Sequence, residues 1–297
     1  MLKNNIAAGI LWMCLTMLLN SIGGACIRKL AGSIPAVELV FFRSVFGLLM
    51  LAPWIWSKGL SSLKTTQLPL HSARVIFASS ALVLLFYALG EMPIADVFAL
   101  QFTIPLFTII LAVFILKQRA DVHAWSACLI GFCGALIVMR PGFIELTLAS
   151  VCAIISAFLS GGSNTTLKML SRTEGAGVIT VYSNLLMLPL AFIPLLFVWV
   201  MPTADQWPLV VTIAVLNAVS GYCFTRSVGA ADARIVQPFQ FTRMIFATAI
   251  GFWMFAEFPD LWTWVGAAVI FGASYYIVWR ETKADSGFST SSESNPA

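Results

Sequence analysis

Ten long apolar runs, parted by short charged or turn-forming breaks, restrict this chain more than any other feature. They lie at 5–27, 37–56, 73–90, 94–116, 123–140, 147–167, 177–200, 207–228, 235–256 and 261–279. A hydrocarbon core of ~30 Å is crossed by about 20 helical residues, so each run is close to the length of one span. In lipid the backbone must satisfy its own hydrogen bonds, which leaves helices or a closed barrel. The runs lack the ten-residue alternation of a membrane barrel. Composition agrees: 60% of the 297 residues are hydrophobic and 10% charged, where a soluble domain carries roughly a quarter charged. The expected fold class is an all-α polytopic membrane protein with about ten transmembrane helices. Breaks such as "KQRAD" (117–121) and "EFPD" (257–260) are short, so successive helices run antiparallel. The first run is too long for a signal-peptide core and has no small-residue cleavage site. The polar segment 282–297 reads as a disordered cytoplasmic tail.

The placement of basic residues sets the orientation. With the N-terminus inside, one side collects Lys3, Lys58, Lys64, Arg74, Lys117, Arg119, Lys168, Arg172, Arg226, Arg234, Arg280 and Lys283, while the other keeps Arg28, Lys29 and Arg140. The positive-inside rule then places both termini in the cytoplasm. Two arginines belong to neither end: Arg43 and Arg243. All six cysteines fall inside the runs without metal-ligand spacing and read as small packing residues, so no metal site is expected.

The sequence repeats itself. Residues 101–125, "QFTIPLFTIILAVFILKQRADVHAW", align without a gap to 240–264, "QFTRMIFATAIGFWMFAEFPDLWTW". Upstream, "ALGEMPIAD" (88–96) echoes "SVGAADA" (227–233). The halves are 1–145 and 146–281, each with five helices. An odd number of spans starts the second half on the opposite side of the membrane. Two five-helix inverted repeats around a central cavity follow, an architecture associated with alternating access.

Three stretches carry a family resemblance: "ELVFFRSVFGLLMLAP" (38–53), "ALGEMPIADVFALQFTIPLFTIILAVFILKQ" (88–118) and "AEFPDLWTWVGAAVIFGASYYIVWRE" (256–281). They resemble the ten-helix EamA branch of the drug/metabolite transporter superfamily, over about residues 5–280. Within it the chain looks most like the S-adenosylmethionine-uptake and riboflavin-transporter type. The resemblance implies a secondary transporter of the bacterial inner (plasma) membrane, multi-pass, moving a small polar metabolite by alternating access; the expected cargo is zwitterionic or anionic and amino-acid- or cofactor-like, for example of the S-adenosylmethionine class. Members often end the fourth helix with a glutamate where this chain has Gln118; Glu257 keeps the acid in the second half.

Helical spacing picks the cavity candidates. A central arginine costs roughly 2.5–3.5 kcal/mol on insertion scales, so Arg243 and Arg43 are expected to face the bundle interior. Arg243 shares a stripe with Phe239, Gln240, Ala247 and Gly251. Gln101 and Phe102 belong to the repeated Gln-Phe-Thr frame. The full substrate-binding set is Arg43, Phe42, Tyr87, Gln101, Phe102, Asn164, Tyr222, Phe239, Gln240 and Arg243, with Pro105 and Pro238 as hinges. Two guanidiniums favour a carboxylate or phosphate, and the aromatics suit a planar ring or a cation. The run "SGGSNTTLK" (160–168) reads first as a packing seam, with Ser163 and Asn164 as ligands only second.

Other classes fit poorly. His71 and His123 lie near cytoplasmic ends without paired intramembrane acids, so an enzyme is not expected, nor is a cofactor. No filter loop suggests a channel, and no basic patch suggests nucleic acid. The expected partners are a small-molecule substrate and the bilayer, with monomer and homodimer both open. The alternatives within the superfamily are an exporter of amino acids or opine-type metallophores, and a lipid-linked flippase.

Overall fold

A computed structural model of the chain describes residues 6–58, 65–116, 122–139, 147–230, 239–240 and 242–292. Among them the regular elements are α1 (Ile6–Leu30), α2 (Ala36–Lys58), α3 (Leu68–Glu91), α4 (Ile94–Gln101), α5 (Ile104–Leu116), α6 (Val122–Met139), α7 (Leu148–Leu170), α8 (Ala176–Val198), α9 (Trp207–Ala230), α10 (Thr242–Phe255) and α11 (Leu261–Ser292). Together α4 and α5 cover the fourth apolar run; each other helix takes one run. Seven stretches among the described residues are long and apolar enough to cross a bilayer, with Cys128–Met139 and Thr242–Phe255 as shorter apolar helices. The chain is an all-helical polytopic membrane protein.

Two ends extend well beyond the apolar runs. The third helix starts at Leu68, ahead of residue 73, because His71 and Arg74 in its first two turns have partners on α8. There His71 stacks on Tyr182 at 4.7 Å, and Arg74 donates to the Ser183 hydroxyl. The last helix runs on to Ser292, through the start of the segment expected to be disordered. Extending a helix that is already nucleated adds residues without a new nucleus. Residues 293–297 lie outside the described chain.

The helices pair in a pattern that survives exchange of the two halves. Helix α1 packs on α9 as α7 packs on α3, and α1 meets α10 as α7 meets α5. The α2–α8 and α6–α11 pairs map onto themselves. Small residues allow the closest approaches. A methyl group on Gly266 would lie 2.6 Å from the Gly134 carbonyl, so α6 and α11 touch backbone to backbone. One on Gly161 would lie 2.9 Å from the Thr108 amide nitrogen, and the Thr165 hydroxyl donates to the Thr108 carbonyl at 3.3 Å. The "SGGSNTTLK" segment is thus a seam for α5.

The fourth span is broken between α4 and α5. Pro105 has no N–H to give the Gln101 carbonyl, and the chain tightens before it: the Phe102 and Thr103 amides bond three residues back, to Ala99 and Leu100. The Phe102 carbonyl instead accepts the Ser274 hydroxyl of α11 at 2.8 Å. The Thr103 hydroxyl closes the turn on the Leu100 carbonyl at 2.7 Å. Its repeat counterpart, Thr242, does the same on Phe239 at 2.6 Å.

Candidate functional site

Beside the break lies a cavity of about 440 Å³, walled by both halves. The first half contributes Phe98, Gln101, Phe102, Pro105 and Thr108; the second contributes Asn164, Lys168, Gln240, Arg243, Phe271, Ser274 and Tyr275. It reaches toward the end of the bundle where α5, α7 and α9 finish, past Ala112, Lys168 and Phe224. Among the described residues its lining holds the cations Lys168 and Arg243 and no carboxylate. The ring face is continuous on one side. Phe271 and Tyr275, one turn apart on α11, stack at 6.2 Å and 13°, and Phe102 meets Phe271 edge-on at 5.9 Å.

Gln101 is held in one orientation. Its amide nitrogen donates to the Ala153 carbonyl at 3.1 Å and to the Ser156 hydroxyl at 3.4 Å. The Ser156 hydroxyl spends its own hydrogen on the Ala81 carbonyl at 2.8 Å. Both amide hydrogens of Gln101 are thereby taken up by α7, and its oxygen is the group left for a visitor. Gln101 therefore presents an acceptor, and no donor, to the cavity.

Arg243 stands at the inner limit of the cavity. Its backbone carbonyl accepts Ser21 of α1 at 3.1 Å, and its guanidinium carbon lies over the Phe98 ring, 3.5 Å from the ring centre. A desolvated cation over a ring gains about 2 kcal/mol, but a ring takes up no N–H. Among the described residues the guanidinium has no carboxylate partner, and its Nε is buried without an acceptor. Behind Phe98 is a smaller pocket of about 130 Å³, shared by Arg43, Arg243, Asn20 and Asn217.

The opposite end of the bundle is closed by Arg28. The guanidinium pairs with Glu257 after α10 and donates to the Met92 carbonyl, reaches the Leu89 carbonyl at 3.3 Å, and lies 5.4 Å from the centre of the Phe255 ring. This clasp joins α1, the α3–α4 corner and the end of α10. A turn follows α10 in which Ala256 takes φ 54°, so that the Glu257 amide bonds the Gly251 carbonyl at 3.1 Å.

The structure gathers Gln101, Phe102, Asn164, Gln240 and Arg243 around the main cavity, with Pro105 at the break. Arg43 lies in the smaller pocket. Four aromatic candidates point elsewhere. Phe42, about 100° around α2 from Arg43, is buried against Trp199 and Trp207 at 5.9 and 5.0 Å. Tyr87 lines a separate pocket near Gly32 and Glu91. Tyr222 is 59% exposed and meets Trp12 edge-on at 6.3 Å. Phe239 packs on Met13 and Met17. Pro238 lies outside the described residues. Sequence reasoning missed Phe98, Lys168, Phe271, Ser274 and Tyr275. The signals were present: Phe98 precedes Gln101 and Phe102 by three and four residues, and "FGASY" places Phe271, Ser274 and Tyr275 on one face.

With this geometry established, a family model decides the kinship. The EamA-like transporter family model matches twice, at residues 7–140 and 147–279. The chain belongs to the EamA-like transporter family. It is 31% identical over 262 residues to a riboflavin transporter of Brucella anthropi, covering 86% of this chain and 91% of that one. It is 25% identical over 283 residues to an S-adenosylmethionine uptake transporter of Rickettsia prowazekii, covering 93% and 94%. A pseudopaline exporter of Pseudomonas aeruginosa is 26% identical over 273 residues, covering 91% and 95%. A solved crystal structure matches 90% of this chain and 95% of its own with a TM-score of 0.58 at 16% identity, which shows the common fold. As a member of this family, the chain is a small-metabolite transporter of the membrane.

Proposed function

We propose that the chain carries a flat, ring-bearing metabolite that is neutral or anionic, a flavin such as riboflavin first among them, across the bacterial inner membrane by alternating access. One observation carries this reading: among the described residues the cavity offers stacked rings and two cations and no acid. A volume of about 440 Å³ lies within the ~300–1,000 Å³ typical of small-molecule sites. A cargo with a fixed positive charge, as on a sulfonium, would meet Arg243 and Lys168 with no counter-ion. The aromatic wall of Phe102, Phe271 and Tyr275 takes the ring face, Gln101 accepts from a ring N–H or hydroxyl, and Arg243 donates to ring carbonyls or an acid group.

The transport cycle follows from the two ends. Residues 1–145 and 146–281 act as inverted five-helix repeats, both termini are cytoplasmic, and the cavity opens to the cytoplasm while the Arg28 clasp shuts the outer side. The broken fourth span supplies a hinge beside Pro105. The protein acts by binding and moving its cargo without chemistry or a cofactor. Riboflavin uptake into liposomes, followed by its own fluorescence, tests this. Arg243→Ala and Gln101→Leu are expected to fold and to lose uptake at least tenfold. A wild-type protein that moves S-adenosylmethionine and ignores riboflavin would overturn the substrate class; unchanged uptake by Arg243→Ala would remove that residue's role.

A further inference from the structure

The smaller pocket behind Phe98 has no part in the cargo site as described. Its polar walls are Asn20, Arg43, Asn217 and Arg243; the rest is apolar. Arg43 forms no ion pair and donates no hydrogen bond to any described residue. Asn20 is fixed by accepting the Ser220 hydroxyl at 3.1 Å. Phe98 stands between the two spaces, lining both, and is seated on Gly24, where a methyl group would lie 3.0 Å from its ring tip.

Two guanidiniums sharing one pocket within the bilayer repel each other, and intramembrane charges normally pair with something. Among the described residues no carboxylate pairs with either of them. A space of about 130 Å³ far exceeds the ~10–15 Å³ of probe volume that one water needs. It has room for a small polyatomic anion with part of its hydration. We propose that this pocket is an anion site distinct from the cargo cavity, in which Arg43 and Arg243 hold one small anion of the chloride or phosphate class from two sides, with the Asn217 amide as a further donor. The anion neutralises the pair. Arg243 then meets the cargo as a hydrogen-bond donor instead of an unpaired charge, which suits an uncharged ring. This goes beyond the flavin reading and does not depend on it.

Such an anion has two sources, a dissolved ion or an acid group on the cargo. Protein in nanodiscs is melted at constant ionic strength while gluconate is replaced by chloride or by inorganic phosphate. Riboflavin phosphate is compared with riboflavin in parallel. Saturable stabilisation by chloride or phosphate, with a half-point at least tenfold weaker in Arg43→Gln, identifies a dissolved ion. Stabilisation by riboflavin phosphate alone, lost in the same variant, places the cargo's own acid group between the guanidiniums and overturns a site distinct from the cargo cavity. Equal melting in all solutions, or an unchanged half-point in Arg43→Gln, overturns the proposal. Should that variant fail to fold, bromide in wild-type crystals decides. An anomalous peak beside Arg43 supports the site, and its absence at a bromide concentration that saturates other sites overturns it.

Discussion

Removing the Arg28 clasp should tip the conformational equilibrium toward the state open at that end. The geometry allows the size to be worked out. Arg28 and Glu257 are 17% and 18% exposed at their side chains, so their pairing is only partly screened. Glu257→Gln keeps an acceptor for Arg28 and loses the charge, a change of about 1 kcal/mol. That is roughly fivefold in an equilibrium where ~1.4 kcal/mol is tenfold. The penalty stays small because Oε2 of Glu257 is already buried without a partner. Arg28→Ala also strips donors from the Leu89 and Met92 carbonyls. At about 1.5 kcal/mol for each bond to a charged group, discounted for exposure, the loss is about 3 kcal/mol, on the order of a hundredfold. Spin labels at Ser33 and Phe258, in a cysteine-free background, read the separation of α1 from the α10–α11 turn. The wild type should give one short distance, Glu257→Gln a minor longer population, and Arg28→Ala mainly the longer one. Identical distance distributions in all three folded proteins would refute the clasp as a gate.

Three further substitutions test the frame around the site. Ser274→Ala removes the hydroxyl that donates to the Phe102 carbonyl, which should cost about 1 kcal/mol and lower the melting temperature by a few degrees. Gly266→Ala drives a methyl group to within 2.6 Å of a backbone oxygen; neither backbone has room to yield, so fluorescence-detected gel filtration should show little folded protein. Ala256→Gly relieves a left-handed residue at φ 54° and should stabilise by about 1 kcal/mol, read as a higher melting temperature.

What could be read from the chain alone depended on what each residue had to answer to. The spans were legible because bilayer thickness acts on every run alike. The repeat was legible because Gln101, Thr103 and their counterparts Gln240 and Thr242 occupy the same turn twice. Arg243 declared itself by its cost. The aromatic candidates were harder, because a phenyl ring suits lipid, core and cavity equally. Tyr222 and Phe42 had the right composition and the wrong azimuth, which only neighbouring helices define. Lys168 stood with the cytoplasmic charges that set orientation, and nothing local reveals that the cavity extends to it. The orientation of the Gln101 amide was out of reach, since it is set by Ser156 and Ala81, 55 and 20 positions away along the chain.

The twin turns at Thr103 and Thr242 are followed by different residues, Ile104 and Arg243. In the proposed alternating-access cycle the halves exchange roles, which restores the scaffold but not the guanidinium: it stays with one half. The two faces of the membrane therefore see unequal binding sites. A passive carrier of this kind has different half-saturation constants for cargo presented from either side. Detailed balance makes the ratio of maximal rate to half-saturation constant the same in both directions, so the face that captures scarce cargo well is also the face from which maximal transport is slow.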